Sequence, residues 1–221
     1  MSRKQRIVIY GGTFDPVHGG HLELARKVLQ LFEIDQLIFV PAQRAPHKLE
    51  RETTPAVHRY AMLALATQQD PQLLITTFEI EAPGRQYTID TLRHFRSEFP
   101  SADLFFLMGA DSWSEITTWH EWEELTKIAN LIVATRPGCE IDKARASKSV
   151  ADLMVDLRAR KESLETANEN APPKVFLTDA VMNGASATEI RRAARAKDFV
   201  RLRELVPPAV ADYITKYELY R

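Results

Sequence analysis

The chain has 221 residues, with 29 Lys plus Arg against 30 Asp plus Glu and a formal charge of −1; 45% of residues are hydrophobic, enough for one full core. The near-zero balance excludes a nucleic-acid binder that works by bulk charge, and no apolar run approaches the roughly 18 residues that span a bilayer. The lone cysteine, Cys139, excludes a disulfide framework and a cysteine-built zinc site; with the short apolar run after the basic Met1 to Arg6, it predicts a cytoplasmic protein with no membrane partner.

Ile7-Val8-Ile9-Tyr10 is a continuous apolar run, β-branched at three positions, as in a central parallel strand buried on both faces. The loop after it reads Gly11-Gly12-Thr13-Phe14-Asp15-Pro16-Val17-His18-Gly19-Gly20-His21 and holds four of the chain's 8 glycines. Leu22, Ala25, Val28, Leu29 and Phe32 then recur at helical spacing, predicting a helix from Gly20 to Phe32. Leu37-Ile38-Phe39-Val40, ended by Pro41, predicts a second strand. This strand–loop–helix–strand unit sets the glycine loop at a strand's carboxyl end beside a helix N-terminus, where backbone N–H groups and the helix dipole favour phosphate. A tight turn with no ligand is the bland alternative.

The loop is not G-x-x-x-x-G-K-S/T, which excludes a P-loop, nor G-x-G-x-x-G, which argues against a dinucleotide-dependent dehydrogenase. It does contain His-x-Gly-His, from His18 to His21. Residues three apart at a helix start share a face, so both imidazoles can point at a phosphate, and Gly20 leaves room for it. No further His or Cys stands at zinc-ligand spacing.

Farther along, Leu104 to Met108 predicts another buried strand, ending in Gly109-Ala110-Asp111-Ser112. Trp113 and Trp122 read as core residues, and Trp119 as either a half-buried core residue or an exposed flat face. Arg145 to Asn170 is charge-dense, with Val150, Leu153, Met154, Leu157 and Leu164 in an amphipathic pattern, predicting a helical insertion over residues 139–173. Val175-Phe176-Leu177 predicts a short strand. Residues 186–221 then predict C-terminal helices: Ser186 and Thr188 start one whose apolar period is Ile190, Ala193 and Ala194, and Pro207-Pro208 opens the last, Ala209 to Tyr217.

The glycine loop resembles the signature of the HxGH nucleotidyltransferase superfamily. Its longer form, Gly-Gly-Thr-Phe-Asp-Pro-x-His-x-Gly-His, is similar to the nicotinate-nucleotide adenylyltransferase branch. Ala45-Pro46-His47-Lys48 is similar to that branch's Pro-Pro-His-Lys, with Ala45 for the first proline, and Arg59 with Met62-Leu63 stands at its expected place on a helix. Tyr87-Thr88-Ile89-Asp90-Thr91-Leu92 resembles its Ser-Tyr-Thr-x-x-Thr-Leu, with Gln86 where serine is usual. Phe106 to Ser112 is similar to its strand ending in Gly-x-Asp-Ser, Trp119 stands at its tryptophan, and Asn130 to Pro137 looks like its next strand with an Arg-Pro exit. Ser186-Ala187-Thr188-Glu189-Ile190-Arg191 resembles its Ser-Ser-Thr-x-Ile-Arg. The matches run in order from Ile7 to Arg191; Cys139 to Pro173 has no counterpart.

The resemblance implies a single α/β domain, Rossmann-like and doubly wound, with a mostly parallel sheet and a small C-terminal helical part. It implies transfer of AMP from ATP to the 5′-phosphate of nicotinate mononucleotide, giving deamido-NAD and pyrophosphate, a step of NAD biosynthesis. A phosphate monoester has a second pKa of about 6, so the attacking oxygen is already ionised at neutral pH. In-line attack then needs no covalent intermediate, only positioning and charge stabilisation.

By the same resemblance His18, His21 and Arg191 are the catalytic set. ATP would also meet Gly11, Gly12, Thr13, Phe14, Gly109, Asp111, Ser112, Ile132, Arg136, Ser186 and Thr188. The mononucleotide would meet His47, Lys48, Gln86, Tyr87, Thr88 and Trp119, with Asp15 either structural or orienting a ligand. Mg²⁺ would arrive on the ATP phosphates, without protein side-chain ligands. The alternatives are nicotinamide mononucleotide as main or second acceptor, another HxGH transferase acting on phosphopantetheine, flavin mononucleotide or a cytidylyl acceptor, and a nucleotide-binding regulator without turnover. Such a regulator is expected to lack His18, His21 or Arg191. A metal hydrolase is excluded, because His120-Glu121-Trp122-Glu123-Glu124 lacks the second histidine of H-E-x-x-H.

Overall fold

Along the first strand the side chains alternate between two cores: Val8 and Tyr10 enter one cluster of buried residues, Ile7 and Ile9 the other. That pattern belongs to a strand covered on both faces, and it repeats in the strands beside it. The computed structural model describes residues 3–43, 53–135, 148–158, 173–179 and 186–221. In chain order these form β1 (Arg6–Gly12), α1 (Gly19–Leu31), β2 (Gln36–Pro41), α2 (Ala56–Thr67), β3 (Leu73–Ile75), α3 (Phe78–Glu81), α4 (Thr88–Glu98), β4 (Asp103–Gly109) and α5 (Ala110–Ser114). After a 3-10 turn at Ile116–Thr118 come α6 (Trp122–Ile128), β5 (Asn130–Ala134), α7 (Lys148–Ala151), β6 (Met154–Asp156), β7 (Val175–Thr178), α8 (Ala187–Arg195), α9 (Phe199–Leu205) and α10 (Pro208–Lys216).

The strands make one sheet in the order β3-β2-β1-β4-β5-β7-β6, and every described pairing is parallel. On one face α1, α2 and the C-terminal helices bring Leu22, Ala25, Val28, Met62, Leu63, Ile190, Val210 and Ile214 onto Val8, Phe39 and Leu107. On the other, α4 and α6 bring Ile89, Leu92, Phe95 and Leu125 onto Ile9, Val40 and Phe106. The chain winds one way from β1 through β2 to β3, and the other way from β4 through β5. The reversal falls between β1 and β4, whose carboxyl ends, Gly12 and Gly109, flank the crevice where open α/β sheets bind ligands.

The expected strands and the expected glycine-loop helix are present within a residue or two, and the sheet is doubly wound as predicted. The expected helical stretch through Val150, Leu153, Met154 and Leu157 differs. Helix α7 covers only Lys148–Ala151, and Met154–Asp156 is a strand paired with Val175–Leu177. The free edge of β7 offers unpaired backbone groups, and satisfying them outweighs a helical side-chain period. The rest of the predicted insertion, residues 139–147 and 159–172, lies outside the described residues.

Candidate active site

The loop between β1 and α1 is shaped by aromatic packing. Phe14 sits at φ 49 and is 3% exposed. A Cβ on Gly12 would stand 2.8 Å from the Phe14 ring, so glycine is needed there for that ring to lie against the backbone. The Phe14 ring meets His21 edge-on at 5.1 Å and Tyr10 at 5.3 Å, so the second histidine rests on an apolar floor.

His18 is the N-cap of α1 in extended conformation, and its ring stacks on that of His21, 3.7 Å away and 25° from parallel. The His18 backbone N–H donates to Nδ1 of His21 at 3.3 Å. An imidazole that accepts at Nδ1 carries its proton on Nε2, which is thereby the donor. Burial, then the nearby His18, hold the His21 pKa well below the usual histidine range. The site therefore presents a neutral His21 with a defined tautomer at the mouth of a helix.

A second helix start faces the first. Ser186 caps α8, its hydroxyl accepting from the Glu189 N–H at 3.2 Å. Arg191 reaches back from α8 and donates to the backbone carbonyl of Asp15 at 2.6 Å and to the Thr188 hydroxyl at 3.2 Å. The Asp15 carboxylate accepts from the Tyr220 hydroxyl at 2.8 Å and from the Thr54 backbone N–H at 3.2 Å. Asp15 thus has a structural role in this arrangement, tying the loop to two distant segments.

Arg59 on α2 is fully buried and donates to four carbonyls: Thr54 (2.8 Å), Thr13 (2.7 Å), Ala42 (2.6 Å) and Gln43 (3.2 Å). It fastens the glycine loop to the exit of β2. Burial lowers its pKa, opposed by the charges of Asp15 and Glu79. Glu79 is itself raised by burial and accepts from the Thr91 hydroxyl at 2.7 Å, which joins α3 to α4. Sequence reasoning matched Arg59 without giving it a role and missed Glu79 and Tyr220. The signal for Arg59 was a charge at helical spacing from the buried Met62 and Leu63.

On the β4 side, Gly109 is exposed, and a Cβ there would meet nothing within 4 Å. Asp111 is exposed and Ser112 half-buried at the start of α5. Across the crevice, Tyr87 caps α4 as its N–H donates to the Asp90 carboxylate; Thr88 is the first residue of the helix. The Tyr87 ring lies 4.5 Å from His120 and under the Arg85 guanidinium. Trp119 is half-buried beside them and meets Phe106 edge-on. The Gln86 side chain donates to the Pro83 carbonyl at 3.3 Å. Ile132 is 0% exposed in mid-strand beside Leu107, which sets it in the core rather than on the crevice wall. His47, Lys48 and Arg136 lie outside the described residues.

Among the described residues no group of three or more His, Cys, Asp or Glu could hold a metal ion, and no helix is long and apolar enough to cross a membrane. The Cytidylyltransferase-like family model matches residues 9–193. Three bacterial relatives carry the name probable nicotinate-nucleotide adenylyltransferase. That of Thermoanaerobacter sp. is 38% identical, covering 100% of this chain and 97% of the relative. That of Thermus thermophilus is 38% identical (98% and 100%), and that of Mycolicibacterium vanbaalenii 36% (99% and 94%). In fold the chain is similar to the Plasmodium falciparum nicotinic acid mononucleotide adenylyltransferase complexed with NaAD, with a TM-score of 0.73 at 22% identity over 98% of this chain and 97% of that one. With a glycine loop carrying paired histidines, a capped second helix start and full-length relatives of this kind, the chain belongs to the nicotinate-nucleotide adenylyltransferase family of cytidylyltransferase-like proteins.

Proposed function

We propose that this protein transfers the adenylyl group of ATP to the 5′-phosphate of nicotinate mononucleotide, a step of NAD biosynthesis in the cytoplasm. The observation that carries the reading is the stacked His18–His21 pair at the start of α1, opposed by Arg191 from α8 across the same loop. The full-length relatives support the reaction, and the Plasmodium falciparum structures complexed with NaAD and with APC support the pair of substrates.

In the reaction an oxygen of the mononucleotide phosphate attacks the α-phosphorus of ATP. A new P–O bond forms, the bond to the β-phosphate bridging oxygen breaks, and pyrophosphate leaves with that electron pair. Both reactants are anions, so the protein's task is to place them and to stabilise the charge on the α-phosphoryl oxygens. Neutral His21 donates from Nε2 as that charge grows, with His18 beside it. Backbone N–H groups around Gly12, Thr13 and Phe14 add fixed donors, and α1 contributes its dipole. Arg191, with Ser186 and Thr188 at the start of α8, holds the β- and γ-phosphates. Mg²⁺ would arrive held by the triphosphate oxygens, without protein side-chain ligands, and would supply partial neutralisation of their charge.

Gly109, Asp111 and Ser112 receive the adenosine, Asp111 accepting from ribose hydroxyls, with Arg136 completing that side. Tyr87, Thr88 and Trp119 receive the pyridine ring, with Gln86 at its edge, and His47 and Lys48 meet the mononucleotide phosphate. Mixing the protein with ATP, Mg²⁺ and either nicotinate or nicotinamide mononucleotide, and following pyrophosphate, tests the reading. Release with the acid form is expected. Release with the amide alone would reassign the acceptor, and release with neither would overturn the function.

A further inference from the structure

Tyr220 lies in none of the motifs, yet its hydroxyl is joined to the centre of the site. It donates to the Asp15 carboxylate at 2.8 Å, across 205 residues of sequence. The other Asp15 carboxylate oxygen accepts from the Thr54 backbone N–H, and the Asp15 carbonyl accepts from Arg191. The segment that delivers Tyr220 is itself constrained: Glu218 at φ 50 and Tyr220 at φ 69 both occupy the left-handed region, which large side chains adopt only where their surroundings fix them. Leu219 and Tyr220 pack on the core that α10 shares with α1 and α2. Burial and the facing Asp15 charge raise the Tyr220 pKa, keeping the hydroxyl a donor.

Arg191 has five N–H donors, and the bonds to Asp15 and Thr188 hold one edge of the guanidinium while the remainder can meet an anion. Its aim therefore depends on where the Asp15 carbonyl stands, and two bonds to the Asp15 side chain hold that residue. We propose that Tyr220 is a positioning residue for the triphosphate: its hydroxyl fixes Asp15, and Asp15 in turn holds Arg191 in line with the mouth of the glycine loop. The inference rests on the reading of Arg191 as a triphosphate-binding group.

Tyr220→Phe removes one hydroxyl and keeps the packing. Its KM for ATP is expected to rise about five- to tenfold, while the KM for the mononucleotide stays within about twofold. In an Arg191→Ala background the same substitution is expected to add nothing further to the ATP KM, the signature of two residues acting through one path. Titration with a non-hydrolysable ATP analogue should show the same loss of affinity without turnover, so the result does not depend on which acceptor is used. A Tyr220→Phe protein with wild-type ATP affinity, with a lower melting temperature and nothing else changed, or with an undiminished effect in the Arg191→Ala background would overturn the proposal. Wild-type ATP affinity in Arg191→Ala alone would instead overturn the role of Arg191, and the proposal with it.

Discussion

Trp119 meets Phe106 edge-on, with ring centroids 6.3 Å apart and planes at 74°. Phe106 in turn lies 3.3 Å from where a Cβ on Gly11 would stand. One β4 side chain thus backs both Trp119 and the glycine loop. Stacking of a base on an aromatic side chain contributes about 1–3 kcal/mol, so Trp119→Ala should raise the KM for the mononucleotide about tenfold and leave that for ATP nearly unchanged. Steady-state kinetics with each substrate varied in turn reads the difference. Equal effects on both substrates would place Trp119 in the packing alone.

His21 should stay neutral where an ordinary histidine becomes charged. Its pKa is depressed, so below about 6.5 the unfolded chain binds a proton that the folded one refuses. Stability from this group is therefore full above that pH and declines as the pH falls from there toward the depressed folded value. Nitrogen chemical shifts of His21 should report the Nε2–H tautomer from pH 7.5 to 6, and titration of His21 near 6.5 would refute the assignment. His21→Ala, lacking the donor, should lower kcat about a hundredfold or more.

Two glycines at strand ends should respond in opposite ways. Gly12→Ala drives a methyl group to 2.8 Å from the Phe14 ring and should destabilise the fold by about 1–3 kcal/mol, seen in chemical denaturation. Gly109→Ala meets no protein atom within 4 Å and should fold normally while weakening ATP binding, because the added methyl group occupies space assigned to the nucleoside. A Gly109→Ala protein with unchanged ATP affinity would remove that glycine from the adenosine side.

Arg59→Met would strip donors from the Thr13, Ala42, Gln43 and Thr54 carbonyls at once. Loss of a buried, fully bonded charge should destabilise by about 3 kcal/mol or more, with Arg59→Lys recovering only part, since an ammonium cannot span the same fork. Urea denaturation of the two variants measures the order. Equal stability of wild type and Arg59→Met would show that the four carbonyls find other partners.

Strands β1, β2, β4 and β7, the glycine loop and the α8 cap were legible because each is written locally, whereas the three-residue β3 carried no signal of its own. Ile7 to Tyr10 is an apolar run, the glycines cluster, and Ser186 precedes a helical period. The ties that fasten the site were not. Among the described residues the hydrogen bonds of Arg59 go to backbone carbonyls, which no side-chain identity encodes, and Tyr220 finds Asp15 from a segment 205 residues away. Met154–Asp156 was misjudged for a related reason: its helical period was visible, but the open edge of β7 that recruits it is a property of the assembled sheet. Ile132 was set on the crevice wall by resemblance, whereas its neighbours in β4 and β7 enclose it.

The parallel pairing of β1 with β4 has a consequence for how the molecule is made. On the ribosome β1 emerges before its partner on one side, which begins at Asp103, and α8 follows later still, at Ala187. Until β4 is made, one edge of β1 stays unpaired and Ile7 and Ile9 lack Leu104 and Phe106 beside them, as contacts between distant segments form slowly. The contact of Arg191 with the glycine loop is among the last to form, so a nascent fragment ending before α8 is expected to expose sticky strands and to bind no triphosphate.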